Sequence, residues 1–105
     1  SKKEIKPITF QVNGNGSILI DDLFRIDYET DNSSMTFYVS NSLNVSKISY
    51  VNNKTMLDYN FLEYTVNSEN DIVIEDVGFI KITNPMKIKI YYKDNVDIKI
   101  RDSLI

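Results

Sequence analysis

The feature that most constrains this chain is a two-residue alternation of apolar and polar side chains. Phe24, Ile26 and Tyr28 alternate with Arg25, Asp27 and Glu29, and Met35, Phe37 and Val39 alternate with Thr36, Tyr38 and Ser40. Ile8, Phe10 and Val12 repeat the pattern, as do Ile88, Ile90 and Tyr92, and then Val96, Ile98 and Ile100. Successive side chains of an extended strand point to opposite faces, so a period of two places each apolar set on one side of a sheet. Asn, Asp, Ser or Gly interrupts the alternation every ~8–12 residues, the spacing of a small sandwich or barrel. No segment carries the 10–15-residue helical pattern that would link parallel strands, so a βαβ sheet is not expected.

Composition agrees with the pattern. Ile, Val, Thr, Phe and Tyr supply 41 of the 105 residues, while alanine is absent. These β-branched and aromatic side chains fit a pleated, half-buried surface and lose χ1 freedom in a helix. A chain of this length accommodates one domain. The expectation is therefore an all-β, antiparallel β-sandwich of about eight strands, Ig-like or jelly-roll-like in kind. It would span residues 7–101, between a polar N-terminal arm at 1–6 and a tail at 102–105.

Punctuation sets the expected turns. Asn13-Gly14-Asn15-Gly16 tolerates positive φ and predicts a tight hairpin turn. Thr30 to Ser34 predicts a polar turn, Asn52-Asn53 the end of a strand at Val45–Val51, and Asn84-Pro85 another turn. Thr55 to Val66 is ambiguous: Leu57, Phe61 and Tyr64 suit a helical turn, whereas Leu62, Tyr64 and Val66 suit a strand, favoured near the end.

The chain contains no His and no Cys. The commonest general base, the commonest metal ligand and the best thiol nucleophile are thus all missing, and a non-enzymatic protein is expected. The carboxylate pairs Asp21-Asp22 and Glu75-Asp76 lie beside turns, where Asp bonds its own backbone, and neighbouring strand residues face apart. Asp31-Asn32 and Asp94-Asn95-Val96-Asp97 offer oxygen ligands without the EF-hand spacing. Gly14 and Gly16 match neither dinucleotide nor P-loop patterns. No cofactor or metal is expected. The start reads without a signal peptide, and no run reaches the ~18 apolar residues of a membrane helix. A net charge of −3 argues against bulk nucleic-acid binding.

Charge is segregated along the chain. Residues 21–76 carry eleven acids and three bases, and residues 79–101 six bases and two acids. A three-residue loop at Lys93–Asn95 would pair Tyr92 with Val96, Ile90 with Ile98 and Ile88 with Ile100. That register sets Lys89 opposite Lys99 and Lys87 opposite Arg101, an unfavourable arrangement in isolation. Three explanations stay open. The strands belong to different sheets or lie beside acids such as Asp27 and Glu29. Edge lysines block strand addition. Or Lys87, Lys89, Tyr91, Lys99 and Arg101, with Lys2 and Lys3 in the arm, dock an acidic protein partner.

A short, Cys-free and His-free chain of alternating strands, with Asn-rich turns at Asn13–Gly16 and Asn52-Asn53 and polar terminal arms, resembles the small all-β accessory proteins of tailed-bacteriophage particles. The resemblance implies a capsid decoration or tail-associated protein that docks on a protein lattice or on its own copies, in the virion or the cytoplasm of the producing cell. Two further classes remain open. One is a carbohydrate- or cell-surface-binding module using Tyr38, Tyr50 or Tyr91; the other is a small acidic inhibitor of a host enzyme.

Overall fold

The computed structural model describes residues 6–21, 23–39, 48–51 and 58–103. They form eight strands in one antiparallel sheet, with no helix among them. The strands are β1 (Lys6–Ile20), β2 (Phe24–Val39), β3 (Ile48–Val51), β4 (Asn60–Val66), β5 (Asn70–Ile74), β6 (Gly78–Ile82), β7 (Met86–Tyr92) and β8 (Ile98–Asp102). β1 starts one residue before the expected domain limit and β8 ends one residue after it. The ambiguous stretch resolves as a strand from Asn60; residues 55–57 lie outside the described residues, as do 45–47 of the expected strand at Val45–Val51, whose remainder forms β3.

The sheet forks along β2. Its first half, Phe24–Glu29, pairs with β7, which pairs in turn with β4. Its second half, Met35–Val39, pairs with β6, followed by β5 and β8. β1 runs along the other side of β2 and β3 pairs with its C-terminal end. Two wings result, β3-β1-β2-β7-β4 and β1-β2-β6-β5-β8, and both extend from the same side of β2. The inward residues of both wings, among them Ile18, Ile26 and Ile90 of the first and Phe37, Ile72 and Ile80 of the second, join one hydrophobic cluster.

Two expected turns are overturned. Neither Asn13–Gly16 nor Thr30–Ser34 reverses the chain: both lie within the long strands β1 and β2, opposite each other. Val12 pairs with Ser33 and Gly14 with Thr30, so Asn13 faces the two residues Asp31 and Asn32. This is a β-bulge, which bends the ribbon and sharpens its twist, and Gly14 meets its φ of 75° without a Cβ penalty. The extra residue in β2 also shifts which positions face inward, from Phe24, Ile26 and Tyr28 to Met35 and Phe37.

Polar residues that read as a turn are instead buried at the fork and bonded to the β6–β7 connection. Thr30 Oγ1 donates to the Pro85 carbonyl (3.0 Å), and Ser33 Oγ donates to the Asn84 carbonyl (2.9 Å) while accepting from the Asn84 amide (3.0 Å). The Ser34 amide donates to Thr83 Oγ1 (3.0 Å) and the Thr83 amide to the Ser34 carbonyl (3.2 Å). Where two partner strands diverge, backbone groups lose their ladder, and short hydroxyls replace it. The turn at Asn84-Pro85 is as expected. Asp21 (φ 44°) and Asp76 (φ 65°) sit in the β1–β2 and β5–β6 turns, in accord with the turn reading of those acidic pairs.

The expected hairpin between the last two strands is also overturned. β7 lies between β2 and β4, and β8 pairs with β5. Lys89 therefore faces Asp27 and Glu63 rather than Lys99, and Lys87 faces Glu29 and Thr65 rather than Arg101. Repulsion across the imagined register disfavours that pairing, and burial on both sides of β7 is gained in the alternative.

Candidate protein-interaction face

The outward face of the first wing is built in rows by strand register. One row runs Phe61–Tyr91–Arg25–Leu19; the next runs Glu63–Lys89–Asp27–Ser17; a third runs Thr65–Lys87–Glu29–Asn15. Arg25 faces outward yet is only 3% exposed. Its Nε lies 2.9 Å from Asp27 Oδ1 and its Nη2 donates to Oδ2 (3.1 Å), while the guanidinium covers the Tyr91 ring at 4.7 Å. Ser17 Oγ donates to Asp27 at 2.6 Å. A delocalised, weakly hydrated guanidinium is the cation best suited to burial against an aromatic face.

Lys89 is the centre of the second row. Its ammonium lies 3.6 Å from Glu63, 4.9 Å from the Phe61 ring and 5.7 Å from the Tyr91 ring. Its pKa is raised above the usual lysine value, first by the Tyr91 phenol and then by Glu63. A shallow cleft of about 280 Å³ opens beside it, lined among others by Asn15, Glu29, Glu63, Lys87 and Lys89. Its acids and bases alternate, so it presents no single-sign field to a charged ligand.

The sheet edges differ in how they are protected. The N-terminal half of β1 carries Pro7, and Tyr50 Oη donates to the edge carbonyl of Gln11 (2.9 Å). β3 has four residues. β8 has five and presents Lys99 and Arg101, paired with Asp97 (3.7 Å) and Glu75 (3.3 Å). Proline, brevity and edge cations all discourage strand addition. β4 has none of these devices: it runs seven residues with one charged group, Glu63, and carries Phe61 (55% exposed) and Tyr64 (48% exposed). Among the described residues no strand pairs with its far side.

The sequence-predicted docking residues fall into separate places. Lys87, Lys89 and Tyr91 lie on β7 in the first wing, Lys99 and Arg101 on β8 at the edge of the second, and Lys2 and Lys3 outside the described residues. The structure does not join them into one stripe. The acidic segment is likewise interleaved with the basic one, as the pairs Lys81–Asp71 (2.6 Å), Lys89–Glu63 and Arg101–Glu75 show. Tyr38 stacks on Phe79 with centroids 4.9 Å apart, Tyr91 lies under Arg25, and Tyr50 packs edge-on to Phe10. The β4 edge was missed because its defining property is a vacant ladder, which no local pattern reports; exposed Phe61 was the one available signal. No family model matches this sequence, and no curated protein is similar to it.

Proposed function

We propose that this chain is a non-enzymatic protein-interaction module that engages its partner by strand addition at β4. The observation that carries this reading is the contrast between edges: among the described strands, β4 alone combines length, absence of Pro and Lys, and two exposed aromatic side chains. Such an edge supplies affinity through main-chain hydrogen bonds and specificity through alternate side chains. The two wings would act as the layers of a sandwich that holds this edge rigid. The surrounding context, a larger assembly such as a phage particle in which the chain serves as a decoration or tail-associated protein, rests on the sequence resemblance. The sugar-binding alternative is less favoured, since Tyr38, Tyr50 and Tyr91 each commit part of the ring to a neighbour.

Site-specific photo-crosslinking tests the reading. A benzophenone side chain at Phe61, irradiated in the native source, should form a covalent protein adduct, and the same label at Tyr38 should not. A label at Phe61 that captures no more protein than the one at Tyr38 would remove the proposal.

A further inference from the structure

The partner of an open edge is constrained by which backbone groups the edge presents. At the two ends of the β5–β8 ladder the Glu75 amide donates to the Asp97 carbonyl (2.9 Å) and the Ser103 amide to the Glu69 carbonyl (2.6 Å). Odd-numbered residues of β8, whose side chains face outward, thus direct their backbone groups toward β5. For L-residues the facing of the side chain and the lateral direction of N–H and C=O are coupled through strand direction. β4 runs opposite to β8, and β7 and β5 lie on the same lateral side of them. The outward-facing residues of β4, Phe61, Glu63 and Thr65, therefore direct N–H and C=O away from β7, into the open edge.

We infer that this edge pairs with β4 of a second copy, antiparallel across a twofold axis centred on Tyr64. The inference rests on the strand-addition reading above and names the partner. An isologous pair needs only one kind of edge and closes on itself, so it consumes the unguarded strand of both copies and, among the described strands, leaves guarded edges exposed. Registers centred on Leu62, Glu63 or Tyr64 keep at least five of the 7 residues of β4 in overlap. Centring on Glu63 sets that carboxylate against itself, which is unfavourable. Centring on Leu62 sets Glu63 against the apolar Phe61 of the other copy.

Centring on Tyr64 is the register that charge favours. Glu63 then faces Thr65 of the second copy, whose own cross-strand neighbours are Lys87 and, beyond it, Glu29. One row continues through the dyad as Asp27–Lys89–Glu63 and then Thr65–Lys87–Glu29, with signs alternating throughout. Glu63 gains a second cation, the exposed Lys87, on its far side. On the opposite face the two Tyr64 rings, 48% exposed in the single chain, meet across the axis, beside the half-buried Leu62. Both Glu63–Thr65 pairs join residues whose backbone groups point into the edge, so both are hydrogen-bonded pairs.

The absence of native cysteine makes the register directly readable. Tyr64 would face its symmetry mate in a non-hydrogen-bonded pair with Cα atoms ~4.5 Å apart, within disulfide reach. Tyr64→Cys, Leu62→Cys and Glu63→Cys are each oxidised at several protein concentrations, with circular dichroism and urea midpoints confirming native folding. Cross-linked dimer from Tyr64→Cys alone is expected. Sedimentation of the full chain should show a concentration-dependent dimer, weakened about tenfold by Thr65→Glu and tightened at low salt by Thr65→Lys, since each change acts twice across the axis. Cross-linking at Leu62 or Glu63 instead overturns the register and the inference with it. A monomer at all concentrations, with none of the three cross-linking, overturns the dimer. A photo-adduct from Phe61 to a different protein under those conditions leaves the strand-addition reading standing and removes self-pairing.

Discussion

The phenol of Tyr28 lies directly over the Cα of Gly16, its cross-strand partner, so that a Cβ at Gly16 would overlap the ring and hydroxyl. The ring is 8% exposed and packed into the shared core, which leaves it little room to move away. Gly16 is thus required by close approach, whereas Gly14, with open space around it, is required by its φ of 75°.

These two requirements separate by substitution. Gly16→Ala forces the buried ring aside and should cost about 1–3 kcal/mol, as overpacking does. At Gly14, Asn tolerates a left-handed backbone better than Ala, so Gly14→Asn should be the milder change of the two. Urea unfolding of the three variants checks both statements.

Burial raises the Tyr28 pKa above its ordinary value, with Tyr50 adding to the shift. In the unfolded chain the phenol ionises near pH ~10. As pH rises through that value the unfolded state releases its proton first, so stability present below pH ~10 is lost above it. Lys89 is shifted in the same direction and contributes with the same sign. Tyr28→Phe should flatten the fall in urea midpoint between about pH 9.5 and 11; an unchanged slope would contradict the assignment.

Asp27 contacts the guanidinium that Arg25 lays over the Tyr91 ring, and its loss removes a 2.9 Å ion pair from a cation with 3% exposure. Asp27→Ala should cost toward the low end of the ~3–5 kcal/mol seen when one partner of a buried pair is removed, because Asp27 retains some exposure. Glu63→Gln, at an exposed pair, should change stability by less than about 1 kcal/mol. Thermal and urea denaturation distinguish the two.

Ser33 both donates to and accepts from Asn84, and is 3% exposed. Ser33→Ala removes both bonds to Asn84, an exposed residue whose amide and carbonyl can turn to water, for an expected loss of about 0.5–1.5 kcal/mol. The same loss should accelerate hydrogen exchange at the Asn84 amide, which is the more specific readout.

Strand content was legible because burial on one face imposes a period of two, and the strands around Ile26, Phe37, Ile72, Ile80 and Ile90 follow it. The bulge was not. Asn13–Gly16 and Thr30–Ser34 carry turn chemistry, and the same tolerance for positive φ and local hydrogen bonding serves a bend within a paired ribbon. Arg25 gave no warning of its burial either, since an outward position in an alternating strand reads as solvated until Tyr91 and Asp27 are placed around it.

Alternation, β-branched composition and the lack of His and Cys belong to the sequence by itself: they settle an antiparallel all-β chain without the usual reactive groups, because side-chain facing follows from local backbone geometry. Which strand lies beside which was decided only in three dimensions. Pairing β7 between β2 and β4, and β8 against β5, set basic C-terminal residues against acidic ones far away in the chain and left β4 without a second neighbour among the described strands. Strand neighbours are chosen by the joint burial of both wings in one core, a sum over distant residues that no local window contains.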